Sequence, residues 1–577
     1  MRSFVFASLF FGLAACGGSE TTVEPVNDDT SIASTVEEQA PKYPLPLPEE
    51  TSADISGDDL AARIKRLADD RFEGRGPGTK AGEAAAFWIA AEMERIGLQP
   101  GADGSFLQPV GMVELTLDEE TSGLFIASGD GPPRQTALGR DAVIWTKRQT
   151  TKPLSYENSD LVFVGYGIVA PEYDWDDYDG LDVEGKTVVM LINDPGFANP
   201  DGDLFNGAAM TYYGRWTYKL EEAGRQGAAG AIIIHETAPA SYGWDVVESS
   251  WSGPQADLVR ANAGRDRALL EGWMTADFAN KLFAKAGVDF DEVKALAAKP
   301  GFTPVSLDGL NASARIEQSQ RTLESHNVVG MIPGTTRPDE YVLYVAHWDH
   351  IGIKPSPDPD ADTIYNGAVD NATGTAAILD IAEAMVDDEL ERSALFIAVT
   401  LEESGLLGSA HYAETPTVPL SNIVGGINVD ALNPTGPSRD MIVVGYGSSE
   451  LEELLAEQLA AQERVITPDP HPEAGYFYRS DHASFAKKGV PMLYANSGTD
   501  LLRGGTAAGE AFASLYAAER YHQPADEYDE TWDMSGIEQN VIALYEFGRA
   551  LAQSSSWPNW YEDNEFRAIR DASRSEE

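Results

Sequence analysis

Histidine, aspartate and glutamate side chains follow apolar runs at several places in the C-terminal half of the chain. The runs "YVLYVAH", "FIAVTLEE" and "GGINVDAL" each look like a buried strand that ends in polar residues. A further aspartate precedes a helical stretch in "NGAVDNATG", and a further histidine stands in the loop "YHQPADEYDE". The candidate functional residues are His347, Asp349, Asp370, Glu402, Glu403, Asp430 and His522.

This mixture of side chains suits a pair of hydrolytic metal ions. Imidazole and carboxylate groups without a thiolate are ligands that divalent cations of hydrolytic enzymes accept. The single cysteine, Cys16, stands far from them in the sequence, and no G-x-S-x-G motif for a serine nucleophile is present. We therefore expect the chemistry to need no protein nucleophile.

The adjacent pair Glu402 and Glu403 differs from an ordinary surface cluster of charge. The pair follows the apolar run "ALFIAVT" and precedes the apolar "GLLGSA", so both carboxylates would be poorly solvated without a cation. Because neighbouring side chains cannot easily point the same way, one can bind metal while the other takes a proton from water.

The elements that must position these residues alternate between strand and helix from Asn327 onward. This alternation predicts an α/β fold, with a mainly parallel, mixed sheet covered by helices on both faces. Ligands of such sheets collect beyond the carboxyl ends of the strands. We assign the catalytic domain to residues 324–552, and we expect helices within residues 56–104 to pack on it.

Residues 105–323 have a different character, with short apolar strands between Gly, Pro and Asp turns. The segment "VFVGYGIVAPEYDWDDYDGLDVEGKTVVMLINDPG" and the later "GAAGAIIIH" resemble the protease-associated (PA) domain, a β-rich insert of secreted peptidases. His235 ends one of these strands, and we expect it to be structural. The sequence thus predicts a β-rich domain inserted into the catalytic one.

Six motifs together carry a resemblance to a known family. "NVVGMIPG", "AHWDHIG", "NGAVDNATG", "TLEESGLLGS", "INVDAL" and "YHQPADEYD" occur in the order found in peptidase family M28, the co-catalytic zinc aminopeptidases. The likeness covers about residues 58–98 and 327–552.

The resemblance implies two Zn2+ ions per chain. In the family pattern Asp370 bridges both ions, while His347 and Asp430 complete one site and Glu403 and His522 complete the other.

The resemblance also implies roles for residues next to these ligands. Glu402 would be the general base that deprotonates water and returns the proton to the leaving amine. The carboxylate of Asp349 would orient the ring of His347. A cis peptide bond is implied between Asp370 and Asn371.

Four more residues are expected near the substrate pocket or behind the ligands. Three of them lie in "GYFYRSDHASF", which is similar to a segment near the substrate pocket of the family. The four are His350, Tyr478, Asp481 and His482.

The two ends of the chain are expected to lie outside the folded domains. Residues 1–16 resemble a lipoprotein signal peptide whose lipobox ends at Cys16, the expected lipidation site. Residues 17–55 are predicted to be a disordered tether, and residues 553–577 a mobile tail. We expect an exported protein that is lipid-anchored, in the outer membrane, and faces the periplasm or the exterior.

Composition limits the partners. With 93 acidic and 41 basic side chains the formal net charge is -52, which repels nucleic acids and anionic membrane surfaces. The expected partners are a peptide substrate and, through the N-terminal lipid alone, a membrane.

These observations predict a zinc-dependent exopeptidase that removes N-terminal residues from peptides. Carboxypeptidase or dipeptidase specificity on the same scaffold stays open. A non-catalytic surface receptor or binding lipoprotein is the alternative of a different class. A glutaminyl cyclase-like acyltransferase would need only one zinc and fewer ligands.

Overall fold

The computed structural model describes residues 51–129, 131–202 and 204–575. The predicted signal peptide with Cys16, and the predicted tether up to residue 50, lie outside these residues. Within the described part of the chain, no helix is long and apolar enough to cross a membrane.

The described residues form two large sheets and two short hairpins. The strands are β1 Gln99–Pro100, β2 Leu107–Leu117, β3 Gly123–Ser128, β4 Arg134–Gln135, β5 Ala142–Trp145, β6 Leu154–Phe163, β7 Val169–Ala170, β8 Trp175–Asp176, β9 Thr187–Leu191, β10 Gly230–His235, β11 Pro254–Leu258, β12 Leu270–Thr275, β13 Val305–Ile316, β14 Gln318–Ile332, β15 Arg337–His347, β16 Gly352–Ile353, β17 Ile364–Tyr365, β18 Arg392–Val399, β19 Ile423–Asn428, β20 Asp440–Val444, β21 Val465–Pro468 and β22 Met492–Ser497. The helices are α1 Gly57–Leu67, α2 Lys80–Ile96, α3 Trp216–Arg225, α4 Thr237–Ala240, α5 Trp244–Ser250, α6 Ala276–Lys285, α7 Phe290–Ala297, α8 Thr373–Met385, α9 Leu407–Glu414, α10 Leu451–Ala461, α11 His482–Ala486, α12 Gly505–Glu519, α13 Ser535–Gln553 and α14 Arg567–Ser575.

The first sheet has parallel strands at its centre and antiparallel strands on both sides. Its order is β11-β2-β14-β18-β15-β19-β22-β20-β21, with β1 paired to β14. Strands β18, β15, β19 and β22 run parallel to one another. Strands β14 and β20 flank them in the antiparallel sense. The four parallel strands therefore bring their carboxyl ends to one edge.

Helices cover both faces of this sheet. The side chains of β15 alternate, so that Val342 and Tyr344 pack with α1, α2, α8, α10 and α13. Leu343 and Val345 face the other way, toward α9 and α11. This arrangement confirms the α/β prediction, and it explains why β15 is apolar along its whole C-terminal half.

The two N-terminal helices begin and end at recognisable residues. The Ser56 hydroxyl accepts a hydrogen bond from the N–H of Asp59 and caps α1. The Thr79 hydroxyl caps α2 in the same way, and Gly97 ends α2 at φ 107°, where a residue with a Cβ would be strained. Both helices bury their apolar sides in the core of the first sheet.

The second sheet belongs to the inserted region. Its order is β4-β3-β13-β6-β9-β10-β12-β5, and β6, β9, β10 and β12 run parallel. Helices α6 and α7 pack on one face of this sheet, and α3 and α5 on the other. We call residues 118–317, without β11, the insert.

The insert is shorter than the predicted span 105–323. Strand β2 and the first part of β14 pair with each other in the first sheet, over the register Leu107–Val328 to Leu117–Gln318. Strand β11 also joins the first sheet, on the outer edge of β2. The predicted boundaries therefore fall at the start of one long strand and inside another.

The prediction of a mobile tail is wrong, because residues 554–575 pack against elements of the first sheet and its helices. Trp560 is fully buried, and its indole N–H donates to the carbonyl of Gly489 over 2.9 Å. Arg570, on α14, donates to the carbonyl of Ile423. Buried aromatic side chains fix this stretch even though its composition is polar.

The last residues of the predicted tether are also ordered. The Thr51 hydroxyl donates to the Glu383 carboxylate over 2.5 Å and accepts from the Arg63 guanidinium over 2.9 Å. The predicted disordered tether, residues 17–55, is therefore too long at its C-terminal end.

Candidate metal centre

The ends of parallel strands bring distant residues together. His347 is the last residue of β15, Asp430 lies just beyond β19, and Glu402 and Glu403 lie just beyond β18. Since β15 is parallel to both neighbours, these side chains meet at one edge of the sheet. Two residues come from outside these strand ends: Asp370 precedes α8, and His522 stands in the loop between α12 and α13.

One group of ligand atoms surrounds the ring of His347. Its Nε2 atom is 3.2 Å from Asp370 Oδ1 and 3.2 Å from Asp430 Oδ1. His347, Glu402 and Asp430 also each offer one atom within 4.8 Å of the others, the spacing of a possible metal site.

A second group surrounds Glu403. His522 Nε2 is 3.0 Å from Glu403 Oε2 and 3.3 Å from Asp370 Oδ2. His350, Asp370 and Glu403 satisfy the same 4.8 Å criterion. The two oxygens of Asp370 thus face different groups, one on each side.

Electrostatics at this site favours bound cations. Burial raises the pKa of Glu402 well above its usual range, His347 opposes the rise, and Asp430 adds to it. Burial lowers the pKa of His522, but the carboxylates of Glu403 and Asp370 outweigh it and raise the pKa to about 10. Carboxylates held this close repel one another when they are ionised, and a bound cation relieves that repulsion.

Unpartnered polar atoms point to the same conclusion. Both ring nitrogens of His350 and Oε1 of Glu403 have no hydrogen-bond partner among the described residues. His350 Nδ1 nevertheless lies 2.5 Å from Glu403 Oε1, a contact without hydrogen-bond geometry. Buried atoms of this kind are free to bind an ion. The residues present therefore fit one or two divalent metal ions.

Asp349 contacts His347 through a different atom from the one predicted. Its backbone carbonyl accepts from His347 Nδ1 over 3.1 Å, whereas its carboxylate lies 4.0 Å from that nitrogen. The carboxylate instead accepts from the backbone N–H of Glu402 over 3.2 Å. Burial raises the pKa of Asp349 to about 7. Asp349 thus fixes the imidazole and the glutamate pair at once.

Asn371 holds the loop of Asp370 against that of Asp430. Its Nδ2 donates to the carbonyl of Val429, and its Oδ1 accepts from the N–H of Ala431. The peptide bond between Asp370 and Asn371 is cis, as the family resemblance implies.

Two residues that support the ligands were not singled out from the sequence. The buried carboxylate of Asp526 accepts from the N–H groups of Val369 and Asp370. The Ser480 hydroxyl donates to Asp430 Oδ2 over 2.6 Å. Asp526 lies in "YHQPADEYDE" and Ser480 in "GYFYRSDHASF". The sequence of these segments does not indicate which groups they hydrogen-bond.

A third such residue, Arg75, lies in the N-terminal segment. Its guanidinium is fully buried and donates to the carbonyls of Leu67, Trp348, Asn366 and Gly367. Burial lowers its pKa to about 10, and the carboxylates of the site oppose this shift. Arg75 therefore joins the first helices to the loops that carry His347 and Asp370. In the sequence, the only indication of a special role for Arg75 is its position in the glycine- and proline-rich turn "EGRGPGT".

The predicted pocket residues fall into different places. His350 lies within the second ligand group. Asp481 is fully buried, with both carboxylate oxygens unpartnered among the described residues, and burial raises its pKa to about 7. His482 packs against Phe477 and Tyr494 and belongs to neither group. The Tyr478 hydroxyl donates to Glu565 near the C-terminus.

The first sheet and the candidate ligands at its edge form an α/β domain with a possible site for divalent metal ions. Residues 327–545 match the model of peptidase family M28. The match contains all five predicted ligands and Glu402.

Individual relatives share about a quarter of their aligned residues with the chain. It is 24% identical over 395 residues to "Glutamate carboxypeptidase 2 homolog" of Caenorhabditis elegans, covering 58% of this chain and 46% of that protein. It is 26% identical over 223 residues to "Aminopeptidase YwaD" of Bacillus subtilis (strain 168), covering 34% of this chain and 45% of that protein. The chain thus spans less than half the length of these two relatives. An aminopeptidase from Aneurinibacillus sp. strain AM-1 superposes with a TM-score of 0.48 at 18% identity, over 86% of this chain and 94% of the other.

Proposed function

We propose that the protein is a zinc-dependent exopeptidase that removes N-terminal residues from peptides. The proposal depends on the position of Asp370 between the two ligand groups. One of its carboxylate oxygens faces the group around His347, which includes Glu402, and the other faces the group around Glu403. The family match and a relative named aminopeptidase support it.

Two zinc ions are proposed, each held by a histidine and carboxylates. His347, Asp370 and Asp430 would hold one ion, and Asp370, Glu403 and His522 the other. Bound zinc would supply Lewis acidity to water and to the scissile carbonyl. The close approach of His350 to Glu403 makes it a further possible ligand of the second ion.

Glu402 is the proposed general base. Its carboxylate takes a proton from water and delivers it to the leaving amine. Burial and neighbouring carboxylates raise its pKa, which makes it a stronger base than an exposed glutamate. The Asp349 carboxylate accepts a hydrogen bond from the backbone N–H of Glu402 and so fixes the position of the Glu402 backbone.

A panel of peptides with free or blocked termini tests the proposal. Zinc-loaded protein should cleave peptides with a free N-terminus, and N-acetylation should abolish cleavage. Glu402→Gln should lower kcat by about 10²- to 10⁴-fold, while Glu414→Gln, an exposed glutamate on α9, should not change it.

Other outcomes of the panel select other functions. Cleavage that survives N-acetylation but not C-terminal amidation would identify a carboxypeptidase, the activity named in one relative. No cleavage of any peptide by the zinc-loaded protein would favour a surface receptor or binding lipoprotein.

We also propose that the protein is exported and anchored by lipid at Cys16, and that the insert is a protease-associated domain. In the native host, Cys16→Ser should move the protein from the membrane fraction to the soluble fraction. Membrane association of this variant would contradict the anchor.

A further inference from the structure

Three residues with strained backbone lie at the candidate metal centre. Leu401 precedes the glutamate pair at φ 59°, Ala431 follows Asp430 at φ 60°, and His522 has φ 56°. Residues with a Cβ atom rarely adopt this left-handed conformation, because the Cβ atom comes too close to the following carbonyl oxygen. Such strain persists only where the surrounding structure holds it, and it is often found at functional sites. The surroundings of these residues therefore bear on how the ligands are placed.

Of these three residues, only Leu401 is fully buried. Its side chain belongs to a small group of apolar residues, which we call the Leu401 cluster. The cluster consists of Val110, Met112, Leu401 and Leu407, with Ala256, Leu258 and Leu323 packed against them. These side chains come from β2, α9, β11 and β14. The strand that leaves the insert, β11, therefore contributes to the packing around the residue that precedes the glutamate pair.

Hydrogen bonds fix the turn that begins at Leu401. The Leu401 carbonyl accepts from the N–H of Leu407 over 3.0 Å, and the Glu402 carbonyl accepts from the N–H of Leu406 over 2.9 Å. The N–H of Glu402 donates to the Asp349 carboxylate over 3.2 Å. The backbone of the turn is thus held at both of its ends, while the Leu401 cluster holds the side chain that starts it.

The conformation of Leu401 sets the directions of the next two side chains, because a change of φ at one residue turns the chain that follows it. Relaxing Leu401 to a negative φ would move Glu402 and Glu403 away from the ligands of the other segments. We propose that Leu401 is a positioning residue, which the Leu401 cluster holds in the left-handed conformation so that both glutamates reach the metal centre. This inference rests on the proposed zinc-dependent function.

Two substitutions at Leu401 separate backbone conformation from packing. Leu401→Ala removes the packing but keeps a Cβ atom, so the residue relaxes toward a negative φ. Leu401→Gly removes the same packing, but glycine adopts a positive φ without strain. Zinc affinity, measured by competition with a chelator, should be about tenfold weaker in Leu401→Ala than in Leu401→Gly, the factor that corresponds to the cost of a left-handed residue with a Cβ atom. Equal zinc affinities in the two variants would overturn the proposal.

Two further leucine variants control for a general loss of packing. Leu401→Met keeps the side-chain volume and should retain the zinc affinity of the wild type. Leu395→Ala removes a fully buried leucine from β18, the strand that leads to Leu401. It should lower the free energy of unfolding and leave zinc affinity unchanged. A loss of zinc affinity in Leu395→Ala as large as that in Leu401→Ala would overturn the proposal.

Leu258→Ala tests the contribution of β11 and keeps Leu401 itself, so it is decisive even if Leu401→Ala does not fold. The half-buried Leu258 side chain packs against the Leu401 cluster, and its truncation should weaken zinc binding about threefold. Leu154→Ala is the matched control, at a half-buried position of β6 that packs against a different cluster. It should leave zinc affinity unchanged. Equal zinc affinities in these two variants would overturn the proposal.

Peptide cleavage separates this inference from the proposed function. At saturating zinc, Leu401→Ala should lower kcat about tenfold or more while KM stays within about twofold, because a displaced Glu402 acts less well on substrate that is already bound. The expected order of zinc affinities without cleavage of any peptide would support the positioning role and contradict the exopeptidase. Cleavage by the wild type, with equal zinc affinities in Leu401→Ala and Leu401→Gly, would do the reverse. A wild type that binds no zinc would overturn both.

Discussion

His347 and His235 each end a parallel strand, in the first sheet and in the insert, yet their surroundings are opposite. Two carboxylates lie 3.2 Å from His347 Nε2. His235 Nε2 instead contacts the carbonyl of Tyr242 over 3.0 Å, and its ring packs against Trp244 and Trp273. Carboxylates raise the pKa of His347 against the effect of burial, whereas burial lowers that of His235.

The carboxylates at strand ends show the same difference. Asp194, which follows β9 in the insert, accepts from the N–H and hydroxyl of Thr211 and from the N–H of Gly196. In the first sheet, Glu403 retains an unpartnered oxygen. Position at the end of a parallel strand is therefore insufficient for a site. What distinguishes the site is that several imidazole and carboxylate atoms from different segments lie within 4.8 Å of one another.

Replacing each histidine by alanine should reveal the largest difference between the two strand ends. His347→Ala should lose bound zinc and lower kcat/KM by about three orders of magnitude, or about 4 kcal/mol. His235→Ala should keep the zinc and lower the free energy of unfolding by about 1–2 kcal/mol through a lost hydrogen bond. Metal analysis and urea unfolding measure both. Zinc loss in His235→Ala would remove the distinction.

The supporting carboxylates allow a second, smaller test. Asp526→Asn replaces an acceptor of the Val369 and Asp370 N–H groups by an amide, and it should cost about 10- to 100-fold in metal affinity or activity. Asp194→Asn is the matched change in the insert. It should leave metal affinity unchanged and lower the free energy of unfolding by about 1–3 kcal/mol. Equal metal affinities in both variants would contradict a supporting role for Asp526.

His482 extends the comparison, because it lies on α11 beside the first sheet, yet its ring packs against aromatic side chains. Burial lowers its pKa to about 3. Below about pH 6.5 the unfolded chain takes up a proton that folded His482 does not, so stability falls toward pH 3 by about 1.4 kcal/mol per pH unit.

His482→Leu should remove this contribution. The difference in unfolding free energy between wild type and variant, measured on metal-free protein from pH 7 to pH 4, should change with that slope. His471→Leu, at an exposed site, controls for the loss of a histidine. A flat difference curve for His482→Leu would show that the ring is protonated in the folded state.

The sequence predicted the α/β class and the residues that meet at the first sheet because both depend on local patterns. Apolar runs such as "YVLYVAH" mark buried strands, and parallel neighbours place their ends together. The borders of the insert depend on pairing between residues about two hundred positions apart, such as Leu107 with Val328. No local pattern encodes such pairing.

The sequence predicted which residues meet at the site, but not which of their atoms make the contacts. That Asp349 uses its backbone oxygen toward His347 depends on how the following loop turns. Asp526 and Arg75 bind mainly backbone groups, which every residue possesses, so their partners leave no trace in the sequence. The packed tail escaped prediction because a few aromatic residues outweigh a polar composition.

Strand β11 has a practical consequence for shortening the molecule. It leaves the insert to cover the outer edge of β2, with a register from Pro254–Thr116 to Leu258–Met112. Deleting residues 118–317 as a block would strip that cover and expose a row of unpaired N–H and C=O groups on β2. Uncovered edges of this kind recruit strands from other molecules and cause aggregation. A shortened version of the protein would need a substitute strand or charged residues along that edge.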